Sequence, residues 1–206
     1  CASLADVFDN EVPWGWRYDL WNLIRATSHL SWLIVTKRIG NTKAMLPRDW
    51  CDGYYGHVRI LITVCNQEEA DRDIPKLLAL PCKNGISYEP ALGPVNWEPW
   101  LTPCGPNIRS PDPFGRDRAI EWLIIGGESG SKARPFDLAW ARSTVAQCKA
   151  AGVPVFVKQL GSNPLVQDAT CPLERAIREG GYTLKDRAGA NPFEWPDGLK
   201  IRQFPD

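Results

Sequence analysis

Five apolar runs recur along this chain, and each ends in polar or glycine residues. They lie near 32–36, 59–63, 86–89, 122–126 and 154–158, and their starts are about 27 to 36 residues apart. The clearest is Glu121 to Gly130, reading EWLIIGGESG. Trp122-Leu123-Ile124-Ile125 shows no polar/apolar alternation, the pattern of a strand buried on both faces in a parallel sheet. Gly126-Gly127 then lets the backbone turn and a ligand approach closely. Glu128 and Ser129 follow, a carboxylate and a hydroxyl where α/β proteins present ligand groups. The plain alternative is a glycine-rich turn with a solvated glutamate. Ser31-Trp32-Leu33-Ile34-Val35, ending in Thr36-Lys37-Arg38, echoes the same unit.

Between the runs the pattern turns helical. Pro13 opens a helix with Leu20, Ile24 and Thr27 on one face, and Trp16, Trp21 and Leu23 widening the stripe. A short helix is expected around Thr42 to Leu46. Asn66 with Glu69 reads as a capping box at a strand exit. Pro75 is expected to split that segment into one helix to Asp73 and another through Leu80. Pro90 to Arg118 is proline-rich and aperiodic, the character of a lid or binding loop. Asp137 caps a helix whose Leu138, Ala141, Val145 and Cys148 face inwards, and Gly152 ends it. Strand and helix alternating in this way imply an α/β fold, a partial TIM-type (β/α) barrel of parallel strands with outer helices. Residues 1–161 make up the barrel portion. Residues 162–206 form an irregular tail, helical only over Cys171 to Glu179 and stapled on by Trp195, Leu199, Ile201 and Phe204.

Composition narrows the classes. With 206 residues and 44% hydrophobic content, one domain with a sizeable core is expected. Net charge is zero, so the overall balance does not favour nucleic acid or anionic membranes. No apolar run approaches the roughly 20 residues of a membrane helix. The seven cysteines (1, 51, 65, 82, 104, 148, 171) come no closer than 14 positions. That spread suits reduced thiols in a cytoplasmic protein and leaves any metal site to ligands from distant segments.

Parallel strands place every C-terminal strand end on one face. That face collects Thr36, Lys37, Arg38, Thr63, Asn66, Gln67, Glu89, Glu128, Ser129, Lys158 and Gln159. Acidic, cationic and amide groups on such a rim can bind a zwitterionic or phosphorylated small molecule, although each alone could be a solvated loop residue. Glu89, Glu128 and Lys158 are the plausible catalytic acid–base groups; His29 and His57 sit away from strand ends. No GxSxG, HExxH, phosphate-loop or dinucleotide GxGxxG motif is present.

SLADVFDNEV at 3–12, WLIVTKR at 32–38, NQEEADRDIP at 66–75 and SYEPALGPV at 87–95 carry a resemblance. WLIIGGESG at 122–130, ARPFD at 133–137 and CKAAGVPVFVKQLG at 148–161 continue it into the closing tail. Together they resemble a phage-associated and bacterial radical-SAM-like protein family. The resemblance implies a TIM-type barrel whose first β/α unit carries a CxxxCxxC loop holding a [4Fe–4S] cluster, with its open iron bound by S-adenosylmethionine. That unit would lie upstream of Cys1, so the chain reads as a C-terminal portion without the cluster loop, and no cofactor is expected in it. By the same resemblance Gly126, Gly127, Glu128 and Ser129 would line the cofactor side, and Thr63 and Asn66 on the same rim are expected to join them in cofactor binding. Lys37, Arg38, Glu89, Arg134, Lys158 and Gln159 face cofactor or substrate. The family usually has an acidic residue where Cys65 stands and an aromatic one where Leu160 stands.

Three functions remain open: the C-terminal portion of a radical-SAM-like barrel, a non-redox barrel binding a nucleotide-like ligand or a protein, and a lyase or hydrolase using Glu128 and Lys158. Replacing Gly127 with Val is expected to remove adenosine-like binding while sparing the helices. A truncated barrel edge is expected to invite self-association.

Overall fold

The computed structural model describes residues 5–102 and 118–205. In chain order its elements are α1 (Trp14–Ala26), β1 (Trp32–Thr36), α2 (Ile39–Met45), β2 (Val58–Thr63), α3 (Gln67–Leu78), β3 (Lys83–Tyr88), α4 (Glu98–Leu101), β4 (Leu123–Gly126), β5 (Phe136–Asp137), α5 (Leu138–Ala151), β6 (Val155–Gln159), β7 (Pro164–Leu165) and α6 (Pro172–Arg178). β1, β2, β3, β4 and β6 form one sheet in that order, and every pairing is parallel. The expected α/β architecture is what the chain adopts. A two-residue parallel pair, β5 with β7, is an addition that two-residue strands leave no periodicity to reveal.

Register explains how the helices cover the sheet. Ile34 pairs with Ile60, Ile62 with Ile86, Leu123 with Val155 and Ile125 with Val157. These side chains join one buried cluster with Trp21 and Ile24 of α1, Ile74 and Leu77 of α3, and Leu138, Ala141 and Cys148 of α5. Alternation sends Leu33, Val35, Arg59, Leu61, Thr63, Ser87, Ile124 and Phe156 to the opposite face. A sheet whose strands follow chain order, with helices packed on one face, is consistent with a segment of barrel wall. A doubly wound sheet would reverse its order at a switch point.

Several local expectations change under packing. In α1 the buried stripe is Arg17, Trp21 and Ile24, while Trp16 and Leu23 are exposed. Arg17 takes the inward place because its guanidinium donates to Val7 O (2.9 Å) and Asp9 O (3.1 Å), tying the entry loop to the helix. α2 begins at Ile39, ahead of the expected Thr42, since Ile39 and Thr42 are its buried pair. α3 is continuous through Pro75. Burial of Ala70, Ile74 and Leu77 on one face outweighs the missing amide.

Its N-terminus is the expected box with one shift: Asn66 Oδ1 accepts from Glu69 N (3.0 Å), and Glu69 Oε2 accepts from Cys65 N (2.7 Å). α5 follows expectation, with Asp137 accepting from Ala139 N at 2.9 Å and Gly152 closing it at φ 70°. The expected loop from Pro90 holds the short α4 and a fully buried Trp97, whose Nε1 donates to Thr144 Oγ1 at 3.0 Å. Residues 103–117 of that loop lie outside the described residues, as do Cys1 and Cys104. No described helix is long and apolar enough to cross a membrane.

Candidate functional site

The C-terminal strand ends form one rim. At β1, Thr36 Oγ1 donates to Asp6 (2.9 Å), and Lys37 N donates to the same carboxylate (2.8 Å). The first described residues thus sit beside this strand end, with Arg38 paired to Asp9 at 3.1 Å. These contacts leave the exposed Lys37 ammonium without an ion pair among the described residues. At β2, Thr63 is half-buried and the Asn66 side chain caps α3.

The best-defined pair bridges β3 and β6. Lys158 Nζ lies 3.2 Å from Glu89 Oε1, and Ser87 Oγ donates to Glu89 Oε2 at 3.1 Å. The Glu89 side chain is only 16% exposed. Gly126 makes room for it, since a Cβ there would lie 2.8 Å from Glu89 Oε1. β4 exits into Gly127, where a Cβ would come within 2.5 Å of Leu160 O and 2.9 Å of Phe136 Cβ. Gly127 therefore lets two strand exits touch, and Gly127→Val is a packing lesion rather than the clean probe of ligand binding expected from sequence. Gln159 Nε2 donates to Gly127 O at 2.7 Å, closing the same junction.

Glu128 is held by Arg134, whose backbone N (3.0 Å) and Nε (2.8 Å) donate to Oε2 and whose other guanidinium nitrogen donates to Oε1 (3.2 Å). These hydrogen bonds hold its carboxyl far below the ordinary range, at about 2. An anion so held is a poor proton carrier at neutral pH. Lys158's carboxylate partner is Glu89.

Cys65 is half-buried just beyond β2. Burial pushes its thiol up to about 11, with the neighbouring Glu69 carboxylate adding to the effect and Lys37 and Arg134 opposing it. Lys37 and Arg134 thus both lie within electrostatic reach of one point on the rim. Beside it the 129–131 and 161–164 loops and the tail enclose a cleft of about 910 Å³. Ser129, Ser162, Asn163, Tyr182, Leu184 and Arg187 are among its walls.

The structure thus brings Lys37 and Arg134 within electrostatic reach of Cys65, holds Glu128 on Arg134, and pairs Glu89 with Lys158. Arg38 and Asn66 are committed to local contacts, while Gly126 and Gly127 serve close packing. Sequence reasoning passed over Asp6 and Ser87 as rim-organising groups, while Glu69 was legible as half of the capping box. Ser87 was legible as the residue two before Glu89 on a strand, where both point to one face.

Among the described residues no three His, Cys, Asp or Glu side chains gather in a metal-holding group. Burial also raises Cys82 and Cys148 to about 12. The described thiols are dispersed: Cys82 and Cys148 are buried, Cys51 is exposed, and Cys65 and Cys171 are half-buried.

A family model matches residues 1–188, most of the chain, and is described as a protein of unknown function, DUF5131. The chain belongs to the DUF5131 family. No curated protein and no solved structure matches it. Within this DUF5131 chain the matched span takes in the whole rim from Lys37 to Gln159 and the cleft beside it.

Proposed function

We propose that this chain is the C-terminal portion of a radical-SAM-like (β/α) barrel whose rim binds a small zwitterionic or nucleotide-like molecule. The observation that carries the reading is the gathering of Lys37, the Glu89–Lys158 pair and the Glu128–Arg134 pair at the exits of parallel strands. Cations and carboxylates in alternation suit a ligand bearing both charges, and the adjoining cleft is large enough for one. S-adenosylmethionine and a [4Fe–4S] cluster belong, in this reading, to the parent protein with its upstream cysteine loop. In this chain the rim contributes binding and orientation.

The non-redox binding barrel is the second reading, favoured by the dispersed and buried thiols Cys82 and Cys148. The lyase or hydrolase reading is better served by Glu89 with Lys158 than by Glu128, whose charge is committed to Arg134.

Titration calorimetry with S-adenosylmethionine, S-adenosylhomocysteine and AMP tests the rim. Binding of at least one is expected, weakened about tenfold or more by Lys158→Ala through loss of a charge-assisted contact. No heat from any of the three, or binding indifferent to Lys158→Ala and Arg134→Ala, would overturn the reading. Anaerobic reconstitution with iron and sulfide is expected to leave the chain without a stable cluster. A stoichiometric one would contradict the dispersed thiols, with Cys65 the first ligand to test.

A further inference from the structure

Beside the rim, three stretches of backbone approach one another closely. Gly161, at φ 76°, packs against the loop after β4, where a Cβ would lie 2.6 Å from Glu128 O. Gly189, at φ 63°, packs against Gly161 in turn, where a Cβ would run into Gly161 O. Only glycine meets both that backbone angle and that approach without strain. Main-chain bonds tie the three stretches together: Ser162 N donates to Glu128 O (2.8 Å), and Leu160 N to Gly189 O (2.8 Å). Gly130 N donates to Ser162 Oγ (2.9 Å), and that hydroxyl donates to Arg187 O. The cleft of about 910 Å³ therefore rests on a fixed backbone floor, organised before any ligand arrives.

Its walls carry donors with nothing to donate to. The Arg187 guanidinium and the hydroxyls of Ser129, Ser131, Tyr182 and Thr183 make no hydrogen bond or ion pair among the described residues. Arg187 is the only cation among the wall residues, and Asp186 the only acid. The Asp186 carboxylate is turned onto its own loop, where Oδ1 accepts from Ala188 N at 2.8 Å. Lys132 and Lys185, chain neighbours of the wall residues Ser131 and Leu184, are exposed and have no ion pair among the described residues. These cations bias the local field towards anions. A guanidinium fork with several hydroxyls beside it suits a tetrahedral oxyanion, whose oxygens accept from more donors than a carboxylate can. Pro164, Ile177 and Leu184 add apolar wall for the organic part of an ester.

We infer that this cleft holds the phosphoryl group of a phosphomonoester, with Arg187 as its counter-ion. The inference rests on the reading of the rim as a ligand site, and names the chemical class of what that site takes. The loop after β4 joins the two places: Glu128 meets Arg134 on the rim, while Ser129 and Ser131 line the cleft. A substrate whose charged head lies among the rim pairs extends its phosphoryl group past that loop. The rim then supplies contacts to the head, and the cleft selects the phosphorylated form.

Phosphorus-31 NMR of phenyl phosphate titrated with the 206-residue chain reads contact at the phosphoryl group itself. A saturable shift or broadening is expected below about 10 mM. Arg187→Ala should weaken it about tenfold or more, through loss of a charge-assisted pair, and Ser131→Ala by a smaller factor. Lys158→Ala, on the rim, should leave it within about twofold. Inorganic phosphate is expected to compete, but more weakly than the ester. Unchanged far-UV circular dichroism would show that each variant is folded. No saturable change, binding indifferent to the folded Arg187→Ala variant, or inorganic phosphate bound as tightly as the ester would each overturn the inference. Loss through Lys158→Ala, with Arg187→Ala silent, would put the phosphoryl group on the rim; that sinks the cleft assignment and spares the rim reading. A phosphoryl site on Arg187, with Lys158→Ala and Arg134→Ala silent towards every rim probe, would sink the rim reading and leave the cleft.

Discussion

Three donors of Arg134 converge on the Glu128 carboxylate, and this one ion pair organises the loop after β4. Gly130, at φ 109°, turns the chain so that a residue six positions on can reach back. The pair has a definite pH signature. Glu128 is lowered from its ordinary 4.5 to about 2, chiefly by hydrogen bonds from Arg134. Its contribution to stability is therefore complete above pH 4.5 and disappears as pH falls through about 2. Thermal midpoints of the chain and of Glu128→Gln are expected to differ by a constant amount at neutral pH, and to converge between pH 4.5 and 2. A gap unchanged at pH 2 would show that the carboxylate is not the group involved. Sequence marked Glu128 as a polar group at a strand exit. The family resemblance points its near neighbour Arg134 at cofactor or substrate; that the two side chains face each other is visible only in the fold.

At the scale of elements, the C-terminal tail shows most clearly how packing adds to local pattern. Trp195 is 1% exposed, its Nε1 donates to Gly189 O at 2.9 Å, and Arg202 stacks between it and Phe156. Trp195→Ala is expected to cost about 3–5 kcal/mol in urea unfolding, as for other buried large aromatic residues. A cost below roughly 0.5 kcal/mol would show the tail to be a loose surface segment. The anchoring tryptophan was legible because a large apolar residue in a polar stretch must be covered by something. The antiparallel addition of residues 201–203 to β6 was not, since so short a segment has no period of its own. α3 shows both outcomes in one helix. Asn66 and Glu69 announced its start, whereas Pro75 suggested a break that burial of Ile74 and Leu77 overrides.

For the molecule as a whole, the tail decides which sheet edge is closed. Ending the chain at Leu199 would remove both main-chain bonds to β6 and the Phe204 ring over Trp122 and Phe156. Such a chain is expected to melt at a lower temperature, by about 2–4 °C for each kcal/mol lost. It should also aggregate at concentrations where the full chain stays in solution, because the β6 edge would then be uncovered. Calorimetry and light scattering check the two effects, and an unchanged midpoint would remove the tail from any structural role.

The sequence by itself determined the parallel α/β sheet, four of its five strand positions to within a residue, and the face on which polar groups gather. Those properties are written locally: an apolar run, a glycine at its end and a capping pair need only about ten neighbouring residues to be recognised. Only the tertiary structure decided that Glu89, and not Glu128, meets Lys158 across 69 positions of chain. It also decided that Gly127 serves contact with Leu160, and that Trp16 and Leu23 lie outside the core. These depend on which segments come together and how closely. That is settled by the joint packing of distant side chains, for which no single stretch of sequence carries the period.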